Sequence, residues 1–136
     1  MGADGFSETV KYEADINAAL QKVRQKVFDS GEYNGSENGH ETIDDIFMDF
    51  ELIEAGGTAT IIDVTSVGDT PDLSTAAPLS ADELNAVFGT TKPTANELKL
   101  GETFFGEIER GHCRYVVLYD DSGEPSQIHF SGYSWD

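Results

Sequence analysis

Two strand-like runs, at positions 113–120 and 126–133, are separated by only the five residues Asp-Ser-Gly-Glu-Pro. Runs rich in Val, Ile, Tyr and Phe on both sides of a turn that contains Gly and Pro are typical of a β-hairpin. An isolated hairpin is unstable in water, so further strands or helices must pack against it. The chain is therefore expected to fold around a mostly antiparallel sheet.

The predicted register of this hairpin places Asp120 opposite Ser126, because this pairing separates the side chains into two distinct faces. One face is apolar and carries Val116, Leu118, Ile128 and Phe130. The other face carries Tyr115, Val117, Tyr119, His129, Ser131 and Tyr133, with Trp135 beside it.

Aromatic side chains with polar tips are frequent in binding hot spots, because they bury a large area at a low entropic cost. The second face of the hairpin is therefore a candidate binding surface. Its candidate partner-binding residues are Tyr115, Tyr119, His129, Tyr133 and Trp135. The alternative is that a helix covers this face, in which case the same residues belong to the core.

Helix signals occur at four places before the hairpin. Asp15 and Thr42 are suited to cap two helices, each of which is followed by glycine. The second of these helices is expected to have an apolar face made of Ile43, Ile46, Phe47, Phe50 and Ile53. Two Ser/Thr-x-x-Glu capping boxes, at 80–83 and 94–97, predict two further helices.

Strand composition is found at 6–12 and 58–67, whereas 68–78 contains two prolines and is expected to be a surface connection. The resulting order is strand, helix, helix, strand, helix, helix, strand, strand. This order predicts an α+β fold with two layers: a mostly antiparallel sheet of about four strands, ending in the hairpin, packed by about four helices. A length of 136 residues corresponds to a single domain, 1–136.

Charge is distributed unevenly along the chain, which has 26 acidic and 8 basic residues and a formal net charge of −18. Positions 27–91 contain no Lys or Arg at all but 14 Asp and Glu. Direct binding to nucleic acid, or to an anionic membrane surface, requires clustered bases and is therefore not expected. A broad negative surface is instead suited to attract a basic protein partner.

The acidic candidates for partner binding lie at the second predicted helix: Glu41, Asp44, Asp45 and Asp49. Three of them are spaced by four residues, so on one helix they would repel each other and would not stabilise it. We therefore expect them to serve binding. Two alternatives are that the acidity only keeps the protein soluble, or that it adapts the protein to a salty cytoplasm.

Sequence patterns for catalysis or metal binding are weak. The only cysteine, Cys113, has His112 and His129 as possible partners, but neither is well placed and an acidic protein does not favour a thiolate. Positions 34–45 resemble the spacing of a calcium loop, but they lack the Asp and Glu that such a loop has at its ends. Phosphate-binding and nucleophile-elbow motifs are absent from the sequence. We expect no cofactor and no metal ion.

These features favour a non-enzymatic acidic binding protein that docks a basic protein partner, most concretely an immunity- or inhibitor-type protein that neutralises a toxin or nuclease. A first alternative is a small enzyme or ligand-binding module with a pocket between sheet and helices. A second is an acidic accessory domain without a specific basic partner. The sequence has no apolar run long enough to span a membrane and no signal-peptide pattern, so a cytoplasmic location is expected.

Overall fold

The strands of the protein form one mixed sheet in the computed structural model, which describes residues 4–135. The five strands are β1 (Gly5–Lys11), β2 (Ser66–Val67), β3 (Thr75–Pro78), β4 (Cys113–Tyr119) and β5 (Pro125–Tyr133). Their order across the sheet is β1-β5-β4-β3-β2. The pairs β1–β5 and β4–β5 are antiparallel, whereas β2–β3 and β3–β4 are parallel.

Five α-helices connect these strands: α1 (Ile16–Ser30), α2 (Ile43–Phe47), α3 (Phe50–Glu54), α4 (Ala81–Phe88) and α5 (Glu102–Gly106). Short 3-10 helices lie at Ser36–Asn38, Ile61–Asp63 and Ala95–Gly101. The predicted caps are confirmed: the Asp15 carboxylate accepts the Ala18 N–H at 3.1 Å, and Ser80 and Glu83 form a reciprocal capping box. These caps begin α1 and α4, so local sequence determines where both helices start.

The α+β class is confirmed, but the sheet has five strands rather than about four and is mixed rather than mostly antiparallel. The additional strand is β3, which lies in the segment predicted to be a surface connection. Its sequence, Thr-Ala-Ala-Pro, lacks the β-branched and aromatic residues that identify a strand. Its alanines are fully buried between two parallel neighbours, so its pairing comes from tertiary packing.

The β4–β5 hairpin is confirmed, but its predicted register is wrong by one residue. Tyr115 faces Phe130 and Val116 faces His129, with a bulge between Leu118 and Tyr119. The cause is the turn: the Asp120 N–H donates to the Glu124 carbonyl at 2.8 Å, and the Asp120 carboxylate accepts N–H bonds from Ser122 and Glu124 at 3.0 Å each, so Asp120 faces Glu124 rather than Ser126. Val116 and Ile128, which are predicted to share a face, therefore lie on opposite faces, and so do Tyr115 and His129.

Apolar clusters cover both faces of the sheet. On one face, α1 packs Ala19, Leu20 and Val23 against sheet residues that include Ile128 and Phe130. On the other face, Val116 and Leu118 pack with apolar residues of the segment that runs from α4 to α5: Phe88, Leu84, Val87, Leu98, Phe104 and Phe105. Helical segments thus lie on both sides of the sheet, which explains why both sets of strand residues are buried.

The segment predicted as a strand at 58–67 is mostly a loop around Asp63. The buried Asp63 carboxylate accepts hydrogen bonds from the Thr58 N–H, the Thr58 hydroxyl and the Ala59 N–H, at 2.8–3.0 Å. Burial raises the pKa of Asp63, while these bonds and nearby Arg24 act in the opposite direction. This carboxylate therefore departs from the expectation that the acidic residues of the chain's middle point outward.

Arg24, on the buried side of α1, ties this loop to the helix. Its Nε and Nη2 atoms donate to the Ile62 carbonyl at 3.0 and 2.6 Å, and its Nη1 donates to Gln21 at 2.8 Å. Since Ile62 is fully buried, its carbonyl has no access to water if this donor is lost.

Replacing Arg24 with Met should destabilise the protein by about 2–3 kcal/mol, because it leaves a buried carbonyl and the nearby Asp63 without their cationic partner. The matched control is Lys22→Met, in which the lost Lys22–Glu13 ion pair is exposed and worth at most about 1 kcal/mol. Urea denaturation of both variants measures the difference. Equal losses of stability in the two variants would contradict the anchoring role of Arg24.

Candidate functional site

The most acidic part of the described chain is residues 29–57, which we call the acidic lobe. It contains α2 and α3 and connects the end of α1 to the loop around Asp63. It has no Lys or Arg and nine carboxylates, eight of them exposed: Asp29, Glu32, Glu37, Glu41, Asp44, Asp45, Asp49, Glu51 and Glu54. Asp49 is the half-buried exception. The segment therefore has no Lys or Arg of its own to neutralise these carboxylates.

Two large apolar side chains are exposed at the junction of α2 and α3. The exposed fraction is 69% for Met48 and 67% for Phe50. The opposite sides of these short helices bury Ile46 and Leu52 in a cluster with Ile62. Exposed apolar side chains inside a charged surface are typical of interaction sites.

Carboxylates flank this apolar pair. Asp44 lies one helical turn before Met48, and Glu54 lies one turn after Phe50, on the same sides of their helices. Both carboxylates are exposed, and neither makes a hydrogen bond or ion pair among residues 4–135. The lobe thus combines an apolar centre with exposed carboxylates, of which Asp44 also interacts electrostatically with Arg24.

A polar network around His40 ties the loop before α2 to the start of α3. His40 Nε2 lies 2.9 Å from the Asp49 carboxylate, and His40 Nδ1 lies 3.3 Å from the Tyr33 hydroxyl. Asn38 also donates to Asp49, at 2.8 Å, and the other Asp49 oxygen accepts the Leu52 N–H at the start of α3. The hydrogen bond from His40, followed by those from Asn38 and Leu52, lowers the pKa of Asp49.

The four acidic candidates fall into two groups. Glu41 and Asp44 are exposed, and their carboxylates have no hydrogen-bond partner in the part of the chain that the structure describes. Asp45 accepts the N–H groups of Glu41 and Thr42 in a capping box, and Asp49 caps α3. The expectation that Glu41, Asp45 and Asp49 do not stabilise a helix is therefore wrong for Asp45 and Asp49. The predicted single helix breaks at Met48, so each of these aspartates lies near a helix start.

The aromatic candidates do not form one surface, because the register differs from the predicted one. Tyr115 lies on the face covered by α1, whereas His129 and Tyr133 lie on the opposite face, and the bulge between Leu118 and Tyr119 interrupts the alternation before Tyr119. Tyr115 packs against Phe130 with a ring separation of 5.9 Å, and burial raises its pKa.

The other aromatic candidates are each engaged elsewhere. Tyr119 lies beneath the Lys92 ammonium, which is 5.7 Å from its ring. The Tyr133 hydroxyl is 3.4 Å from the Gly106 carbonyl. Trp135 packs against Gly57 and Gly111, where an added Cβ would collide with its ring. The prediction of one aromatic binding face is therefore wrong.

His129 lies in an open groove of about 500 Å³ between the sheet and α5, which we call the His129 groove. The His129 side chain is buried, its Nδ1 is 2.7 Å from the Thr9 hydroxyl, and the Phe105 ring lies 5.2 Å away. Burial lowers the pKa of His129, which favours the neutral imidazole at pH 7. Lys99, Glu102 and Tyr133 also line this groove.

Metal binding and thiol catalysis have little structural support among residues 4–135. No group of three or more His, Cys, Asp or Glu there is arranged to hold a metal ion. Cys113 is fully buried, and its burial raises the thiol pKa to about 12, which disfavours a nucleophilic thiolate. None of the described helices is both long and apolar enough to cross a membrane.

Comparison with known proteins identifies no relative: no protein-family model, no curated protein and no solved structure matches this chain. Inference about function therefore rests on the geometry of the acidic lobe and of the His129 groove.

Replacing Asp49 with Asn should lower the thermal stability at pH 7, because it weakens the His40 contact and the cap of α3. Since the folded-state pKa of Asp49 lies below its unfolded value of about 3.9, the carboxylate stabilises the protein above that pH. The loss in melting temperature should therefore shrink as the pH falls below about 4. Glu41→Gln, in the same lobe and with an exposed side chain that makes no hydrogen bond among residues 4–135, is the control and should show neither effect.

Proposed function

We propose that the acidic lobe docks a basic protein partner and that the protein acts by binding rather than by catalysis. The observation that carries this proposal is the exposed pair Met48 and Phe50 in a segment that has eight exposed carboxylates and no Lys or Arg. Solubility alone requires the carboxylates but not two large apolar side chains among them.

The two parts of this surface would contribute to different steps of binding. Exposed carboxylates attract a basic partner over long range and can raise the association rate by about 10- to 1,000-fold at low salt. Apolar side chains that become desolvated at the centre of an interface slow dissociation, because hot spots lie at such centres. The His40 network fixes the start of α3 against the preceding loop before binding, which reduces the entropic cost of docking.

A basic enzyme that binds phosphates is the partner class that this charge pattern fits best. An acidic surface can occupy such an active site by matching its positive charge, as an immunity- or inhibitor-type protein would do against a toxin or nuclease in the cytoplasm. The lobe is suited to this because its carboxylates have few internal partners and remain available to the cations of another protein.

The alternative of a small enzyme or ligand-binding module is favoured by one specific observation. The His129 groove combines a buried imidazole with an aromatic wall and two charged side chains, Lys99 and Glu102. The groove is open, however, and its charged side chains have no arrangement that assigns a reaction. An accessory domain that is acidic only for solubility would leave both Met48 and the His129 groove without a role.

The proposal predicts that partner binding depends on the apolar pair. Wild-type protein is used at low salt to isolate a basic partner from the native cell, and the purified partner is then titrated against variants. Phe50→Ser combined with Met48→Ser should weaken binding at least about tenfold. Leu73→Ser combined with Leu100→Ser is the matched control, since these leucines are 61% and 54% exposed outside the lobe.

Charge is tested with the same partner. Asp44→Lys combined with Glu54→Lys should slow association at least about tenfold at low salt and flatten its salt dependence, because the repulsion is screened at 0.5 M salt. Asp121→Lys combined with Glu124→Lys, in the exposed hairpin turn, changes the net charge equally and should have a smaller effect. Binding that responds equally to lobe and control variants would refute docking at the lobe.

A further inference from the structure

The sheet face opposite α1 is polar where it forms the floor of the His129 groove. Ser7 of β1 lies directly opposite Ser131 of β5, and Thr9 lies opposite His129 in the same register. Alternate residues of a strand share a face, so all four side chains lie on the same side of the sheet. Three of these residues, Ser7, His129 and Ser131, line the groove. Its floor therefore carries two hydroxyls and one imidazole.

Two of these polar side chains are more than nine-tenths buried and still have free hydrogen-bonding capacity. The exposed fraction is 8% for His129 and 9% for Ser131. His129 uses Nδ1 for the Thr9 hydroxyl, whereas its Nε2 and the Ser131 hydroxyl make no hydrogen bond among residues 4–135. In that range, every fully enclosed side-chain nitrogen or oxygen atom has a partner, so these two atoms reach the surface of the groove. A ligand that enters the groove meets both of them.

Apolar groups form the other walls of the groove. The Phe105 ring lies 5.2 Å from the His129 ring, and both Phe105 and Leu98 pack on the apolar cluster of the segment from α4 to α5. Tyr133 closes one end, because its ring lies against Gly5, where an added Cβ would be 3.2 Å from it. The free hydrogen-bonding atoms thus lie on the floor, and apolar groups lie above the floor and at one end.

The charges of the groove are balanced, in contrast to those of the whole chain. Its lining includes one base, Lys99, and one acid, Glu102, and both are exposed. Burial lowers the pKa of His129, so the imidazole adds no charge at pH 7. An anion would meet one lysine but would be repelled by a protein with a formal net charge of −18. The groove is therefore suited to a ligand without net charge.

The separation of polar and apolar walls restricts the ligand further. A purely apolar ligand would remove water from His129 Nε2 and from the Ser131 hydroxyl without replacing the lost hydrogen bonds. A sugar has hydroxyls around its whole ring, so some of them would face Phe105 and Leu98 without partners. A flat heteroaromatic ring with donors and acceptors along one edge satisfies the floor and packs its faces on the apolar walls.

We propose that the His129 groove binds a neutral nucleobase, as the free base or as a nucleoside, with the hydrogen-bonding edge of the base on Ser7, His129 and Ser131 and its ring against Phe105. The groove volume of about 500 Å³ lies within the range of about 300–1,000 Å³ that is usual for ligand sites. Hydroxyls both donate and accept, and the Thr9 hydroxyl can pair with either tautomer of His129. Because the groove is open, a ribose attached to the base can remain in water.

This inference does not depend on docking at the acidic lobe, because the groove and the lobe have no residue in common. A neutral nucleoside also has no positive charge for the carboxylates of the lobe to attract. Phe50→Ser should therefore leave nucleoside binding within about twofold of wild type. Failure of nucleoside binding would leave docking at the lobe unaffected, and failure of docking would leave nucleoside binding unaffected.

The test titrates the isotope-labelled full chain with adenosine, inosine, cytidine and uridine by NMR. At least one nucleoside should bind saturably with a dissociation constant of about 1 mM or lower, and its shift changes should cluster at 5–7, 98–106 and 129–133. Ser131→Ala removes one hydroxyl of the floor and should weaken this binding about five- to tenfold. Ser66→Ala, which changes an exposed strand serine outside the groove, is the matched control and should bind within about twofold of wild type.

Ligand variants test the same contacts without changing the protein. Methylation of the nitrogens on the hydrogen-bonding edge of the base should weaken binding about tenfold or more, whereas methylation of a ribose hydroxyl should be tolerated. The proposal is overturned if no nucleoside binds saturably, or if methylation of the base edge is tolerated. It is also overturned if glucose or phenylacetate shifts the amides of the groove more strongly than all four nucleosides.

Discussion

Arg24 makes the contact on which the position of the acidic lobe depends. Its guanidinium donates two hydrogen bonds to the Ile62 carbonyl and lies close enough to Asp63 for the two charges to interact. It is the only Lys or Arg in the buried class among residues 4–135. The lobe leaves the sheet-packed helix α1 at one end and returns through the loop that Arg24 holds. A base inside the core therefore anchors a segment that has no base of its own.

The elements that depend on local interactions are the ones that the sequence predicts well. Asp15 and the Ser80–Glu83 box cap helices through bonds that span three residues, so their effect is visible in a short stretch of sequence. β3 is not visible in this way, because its Thr-Ala-Ala-Pro sequence becomes a strand only through parallel neighbours. The hairpin register is also missed, because the Asp120 carboxylate closes the turn and shifts the pairing by one residue.

The candidate site could be predicted in part. Most carboxylates of the base-free run are exposed, although Asp63 is buried, and Phe50, which is expected on a buried helix face, is in fact exposed. The missed signal is Asp49, since aspartate is unfavourable inside a helix and favourable at its start. A helix that starts after Asp49 rotates Phe50 away from the core. Charge patterning thus indicates the region, and capping chemistry determines the apolar centre.

The acidic lobe follows from the uneven use of charge along the chain. It has exposed carboxylates beside an apolar pair, and positions 27–91 supply no Lys or Arg to neutralise them. Docking at this lobe does not depend on the titration of a catalytic group.

Hydrogen exchange on the complex with the purified basic partner tests the central claim most directly. If the lobe is the docking surface, backbone amides in 43–54 should exchange more slowly in the complex, and those in 98–106 beside the His129 groove should be unchanged. Slower exchange confined to 98–106, with 43–54 unchanged, would contradict the account.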